Sequence, residues 1–142
     1  MSTQLTGITA LQAVIVRRSF RKLTRHADTA ANLLYKKLFE IDPACRMLFE
    51  CDMHWQGRKL MQMLAVVVVG LNTPETTIPA IRALGKRHVS YGIKAGDYES
   101  VGQALMFALQ ETLGDEYTPQ VDEAWLAFYG FIAETAKLGA ES

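Results

Sequence analysis

Apolar residues recur along this chain three and four positions apart, the period of helices that bury one face. Ile8, Leu11, Ile15, Phe20 and Leu23 predict an amphipathic helix from Ile8 to about Thr24. Ala31, Leu34, Tyr35, Leu38 and Phe39 trace a second, which Asp42-Pro43 ends, and a short helical turn through Met47 and Leu48 leads to Phe49. Asp52 to Trp55 reads as a connection. Gln56, Leu60, Met63, Leu64 and Val67 then predict a third stripe. The Val66 to Val69 run has strand propensity but continues that stripe, and the chain offers no further strands to pair with it. Asn72-Thr73-Pro74 breaks the pattern, and Thr76-Thr77 with Pro79 opens the next helix, with Ile81, Leu84 and His88 inward. Gly92-Ile93 fits a left-handed helix end followed by an apolar contact. Gly96-Asp97 opens a helix with Tyr98, Val101, Leu105 and Leu109 inward. Thr118-Pro119 opens the last one, with Val121, Trp125, Phe128 and Ile132 inward. Five to seven helices with short connections and no repeats predict an all-α packed bundle in one domain, residues 1–142.

Two polar groups fall on apolar stripes. His88 reads from its own surroundings as a hydrogen-bonded core residue or as a metal ligand. The Tyr35 hydroxyl reads as bonded to a backbone carbonyl or as a donor reserved for a ligand, since a buried phenol needs a partner.

Composition narrows the class. With 15 basic and 15 acidic residues the formal charge is zero, so no global field draws the chain to nucleic acid or anionic lipid. Arg17, Arg18, Arg21, Lys22 and Arg25 form a basic run without interleaved aromatics, which reads as a solvated helix face and not as a nucleic-acid or membrane site. The longest apolar run, Met63 to Leu71, is too short to span a bilayer, and the N-terminus lacks a signal pattern, so a cytoplasmic protein is expected. Cys45 and Cys51 form neither a metal motif nor a Cys-x-x-Cys-His attachment and are expected as free thiols.

Tyr35, Pro43, Phe49, Gln56, His88, Tyr98 and Ala124-Trp125-x-x-x-Tyr129-Gly130, at these spacings, together resemble a globin. The likeness runs from about residue 8 to 137 and is nearest to single-domain bacterial haemoglobins, flavohaemoglobin haem domains and neuroglobin. The resemblance implies a three-over-three helical sandwich around a non-covalent haem b, with His88 as the proximal iron ligand. Phe49 would pack on the porphyrin, Leu60, Leu84, Ile93 and Val101 would line an apolar pocket, and Lys59 and Arg87 would lie near the propionates. Tyr35 and Gln56 match two distal hydrogen-bond donors to a bound diatomic gas. Glutamine is a poor iron ligand and His54 points elsewhere, so five-coordinate ferrous iron is expected. In flavohaemoglobin-like globins a tyrosine at the Tyr98 position links the proximal histidine to a glutamate; here Ala140 falls at that place and Glu141 one position late. The implied function is reversible binding of oxygen or another diatomic gas for storage, transport or sensing. The alternative is nitric oxide dioxygenation for detoxification, with electrons from a separate reductase.

Overall fold

The computed structural model describes residues 7–44, 53–90 and 93–141. Among them six α-helices follow in order: α1 (Ala10–Thr24), α2 (Ala27–Ile41), α3 (Met53–Val69), α4 (Pro74–Ser90), α5 (Ala95–Leu113) and α6 (Pro119–Ala140). Short 3-10 turns at Gly70–Asn72 and Gly114–Glu116 follow α3 and α5. No strand occurs among the described residues, and Val66 to Val69 are helical. No described helix is long and apolar enough to cross a membrane.

Local chemistry sets the helix ends. Thr9 accepts from the Gln12 amide (3.1 Å) while the Gln12 side chain accepts from the Thr9 amide (3.0 Å), a reciprocal box that satisfies two amides otherwise without partners. Thr118 caps α6 through the Val121 amide (3.3 Å), with Pro119 supplying a preset φ at the first helical position.

Three expectations shift. Leu11 is 68% exposed. The buried stripe of α1 is Ala13, Val16, Ser19, Phe20 and Leu23, because small residues at 13 and 19 let α6 approach. There the Trp125 Nε1 donates to Ser19 Oγ (2.7 Å), which in turn donates to the Ile15 carbonyl (2.6 Å). Residues 53–55, read as a connection, begin α3. Helix α4 starts at Pro74, and the Thr73 carbonyl takes the amides of Thr76 and Thr77 (3.2 and 3.0 Å). Pro79 therefore sits in the second turn, where its missing N–H leaves the carbonyl of solvent-exposed Glu75 to water.

Trp125 and Phe128 of α6 are wholly buried, edge to face at 5.4 Å, and anchor a core joined by Val16, Leu23, Leu38, Leu71, Ile81 and Leu109. Helix α1 packs on α6, α2 on α5 and α3, and α4 on α6. The last contact is nearly backbone on backbone. A Cβ at Gly85 would meet the Ala136 carbonyl oxygen at 1.9 Å, and one at Gly139 would meet the Arg82 carbonyl oxygen at 2.1 Å.

Gly85→Ala is thus expected to lower stability by about 1–3 kcal/mol, as overpacking does. Gly130→Ala, where a Cβ meets nothing within 4 Å, is expected to leave stability equal or raise it by up to about 1 kcal/mol through helix propensity. Urea midpoints of the two variants measured against the parent check both; equal midpoints would place α4 and α6 farther apart.

Candidate functional site

The last turns of α4 carry the imidazole. Ile81 is buried, and Leu84 and His88 on the same stripe are half-buried. His88 Nδ1 lies 2.7 Å from the Leu84 carbonyl oxygen. A carbonyl only accepts, so Nδ1 donates this bond, and Nε2 is the nitrogen that the ring in its neutral form would offer to a metal. The Tyr98 ring meets the imidazole edge-on, centroids 6.3 Å apart at 61°. Beyond the helix the Ile93 amide donates to the His88 carbonyl (3.1 Å), the closure expected where a glycine ends a helix, although residue 92 itself lies outside the described residues.

Tyr98 is held from the far side by the Tyr129 hydroxyl, which donates to its carbonyl (2.6 Å). Its own hydroxyl is buried and has no hydrogen-bond partner among the described residues, and burial raises the phenol's pKa above its ordinary value. A half-open cavity of about 190 Å³ borders Tyr98, with Val89, Ile93, Lys137, Ala140 and Glu141 in its wall. Ala140 and Glu141 thus both reach this region, but neither hydrogen-bonds to the Tyr98 hydroxyl. Beside His88, then, stands a phenol that borders a cavity and gives no hydrogen bond to a described glutamate.

The second half of the site is built where α2 and α3 touch. A Cβ at Gly57 would lie 2.8 Å from the Ala31 Cβ, so the glycine permits the crossing. Ala31 and Tyr35 lie one turn apart on the buried face of α2, and position 56 adjoins the crossing on α3. Tyr35 is 7% exposed and stacks on Phe39 at 6.2 Å. Loss of hydration pushes its phenol up to about 12, so at neutral pH it is an uncharged donor. The side chains of His54 and Gln56, and all of Cys45, Phe49 and Cys51, lie outside the described residues.

The remaining predicted residues divide by polarity. Leu60, Leu84, Val101 and Ile93 are all half-buried; the first three share stripes with the buried Leu64, Ile81 and Leu105 yet are not closed over. Apolar side chains on inward stripes that stay partly uncovered suit a cleft for a large apolar group. Lys59 and Arg87 are exposed on the outer sides of α3 and α4. The donor set fits a haem: one imidazole oriented through its Nδ1, an apolar wall and a buried phenol. Sequence reasoning places Phe39 on an apolar stripe without giving it a part in the site, and does not single out Gly57 or the restraint from Tyr129. Their signals were a second aromatic one turn after Tyr35, a glycine inside a helical pattern, and a tyrosine one turn after Trp125.

Residues 32–136 match the family model Globin. The chain is 29% identical over 130 residues to a flavohemoprotein of Bacillus subtilis, covering 89% of this chain and 32% of that protein. A flavohemoprotein of Rhodopirellula baltica gives 29% over 123 residues, covering 84% of this chain and 30% of that protein. The chain thus spans about a third of the length of these curated relatives. Among solved structures, a proposed nitric oxide dioxygenase from Rhodothermus marinus, engineered as a carbene transferase, superposes with a TM-score of 0.84 at 28% identity, covering 94% of each chain. A hexacoordinated heme protein from an anhydrobiotic tardigrade superposes with a TM-score of 0.86 at 19% identity, covering 95% of this chain and 96% of that one, which shows likeness of fold alone.

The raised Tyr35 value carries a stability consequence. The unfolded phenol ionises near pH 10, below the folded value of about 12, so stability is full below pH 10 and falls as the pH climbs from about 10 to 12. Tyr35→Phe is expected to remove that part of the alkaline loss, read as a smaller drop in urea midpoint between pH 9 and pH 11.5 than in the parent.

Proposed function

Because the chain belongs to the globin family, we propose that it holds haem b without covalent attachment and binds oxygen or another diatomic gas reversibly. Bound haem supplies a ferrous iron at which such a gas can be captured. His88 is the protein ligand, through Nε2. The observation that carries this reading is the bond between Nδ1 and the Leu84 carbonyl (2.7 Å), which fixes ring and tautomer and raises the basicity of the other nitrogen.

The other residues act by contact and exclusion. Leu60, Leu84, Ile93 and Val101 would shield the pocket from water and anions, Phe49 would supply an aromatic wall to the cofactor, and Lys59 and Arg87 would hold its carboxylates. Tyr98 buttresses the imidazole edge. Tyr35 keeps its proton at neutral pH and would donate it in a hydrogen bond to a captured gas, and the carboxamide of Gln56 would donate a second. Each bond contributes on the order of 1–1.5 kcal/mol, so together they slow release of oxygen by about one to two orders of magnitude.

The second reading is nitric oxide dioxygenation with electrons from a reductase separate from this chain. The flavohemoprotein relatives and the Rhodothermus marinus structure favour it. A polar distal pair serves both functions. Sustained consumption of nitric oxide with rapid return of the ferrous form, on addition of a reductase, would establish detoxification over storage or transport.

Visible absorption tests the core of the proposal. The ferrous protein without gas is expected to be five-coordinate, and His88→Ala is expected to lose the parent spectrum and regain part of it with added imidazole. An unchanged spectrum in His88→Ala would remove the assignment. Tyr35→Phe with Gln56→Leu is expected to speed oxygen release by about 10- to 100-fold in stopped-flow measurements; an unchanged rate would leave haem binding intact and remove the distal pair.

A further inference from the structure

The outward face of α1 has a chemistry that gas binding does not use. Leu11, Val14, Arg18, Arg21, Lys22 and Arg25 are all exposed. Their spacing confines them to an arc of about 100° along a stripe about 21 Å long. Two apolar side chains lead it, Leu11 at 68% and Val14 at 42% exposure, and four cations follow. Lys22 pairs with Glu116 at 2.6 Å, whereas Arg18, Arg21 and Arg25 have no carboxylate partner among the described residues.

Charge is segregated across the whole sequence. The first acidic residue is Asp28, so residues 1–27 hold five basic side chains and no acidic ones, while the rest of the chain holds fifteen acidic and ten basic. A formal charge of zero therefore conceals a basic helix on an acidic body. An anionic surface repels that body and draws α1 inward, which selects one orientation of approach.

We infer that this face of α1 docks the chain on an anionic phospholipid surface, with Leu11 and Val14 at the boundary of headgroups and acyl chains and Arg18, Arg21 and Arg25 on the lipid phosphates. Guanidinium groups pair with phosphate in two-pronged fashion, and a helix with leucine and valine in line with its arginines suits an interface of charged headgroups above hydrocarbon. The stripe holds no exposed Tyr, Trp or Phe, the residues that anchor protein interfaces or stack on bases, so an acidic protein and a nucleic acid fit it less well. No described helix can cross a bilayer, so the attachment is peripheral. The sequence alone turned Leu11 toward the core; its place on the basic stripe makes the run more than a solvated surface.

Flotation of the full chain with vesicles tests this. Binding is expected to vesicles with about one third phosphatidylglycerol in phosphatidylcholine, but not to phosphatidylcholine alone, and it should be lost in about 0.5 M salt. Arg18→Gln with Arg21→Gln and Arg25→Gln should weaken partitioning roughly a hundredfold, and Leu11→Ser with Val14→Ser several-fold. Arg82→Gln with Lys86→Gln, removing exposed charge from α4, should retain it. Far-UV circular dichroism confirms the fold of each variant, and the salt and lipid dependence of the parent decides the matter should the arginine variant not fold. The inference is overturned if the parent ignores the anionic vesicles at low salt, or if the α4 variant loses binding equally. It is also overturned if Leu11→Ser with Val14→Ser changes nothing while heparin, DNA or an acidic protein binds α1 as tightly as the vesicles.

Discussion

Helices α4 and α6 meet through their backbones, and the site is built outward from that contact. Gly85 and Gly139 each face a carbonyl of the opposite helix, so the separation is set by peptide groups and not by adaptable side chains. His88 stands less than one turn beyond Gly85. Its position is therefore inherited from α6, the helix that also carries Trp125 and Phe128, the largest wholly buried side chains. A flexible leucine at the crossing would leave the imidazole free to drift; two glycines leave it little room.

The opposite wall uses the same device more loosely. Gly57 lets α3 lie against Ala31, one turn before Tyr35, and Phe39 stacks on the phenol from the other side. Burial that would penalise a charged group here preserves a neutral one: the phenol holds its proton because the surroundings disfavour phenolate. Packing and electrostatics act on one residue, and neither could be weakened without affecting the other.

Much of this could be read from the chain. The inward stripes of α2, α5 and α6 follow the period of large apolar residues, and His88, Tyr35 and Tyr98 could be placed because they interrupt or extend those stripes. The failures have a common physical origin. Hydrophobicity alone points Leu11 inward, whereas the packing of α1 on α6 buries Ser19, small enough for the Trp125 indole to reach across. Proline's preference for a first turn points to Pro79 as part of the helix opening, yet Pro74 opens this helix and the Thr73 carbonyl takes its first amides. Contacts between elements, such as Gly57 on Ala31 and Tyr129 on the Tyr98 carbonyl, have no one-dimensional signature strong enough to specify a partner.

The Tyr98 hydroxyl, buried without a hydrogen-bond partner among the described residues, has a consequence for the economy of the fold. Burying such a group without a bond costs about 1–3 kcal/mol, and a phenylalanine of the same outline would avoid that penalty. Among the described residues the fold therefore takes no hydrogen bond in return for that oxygen atom.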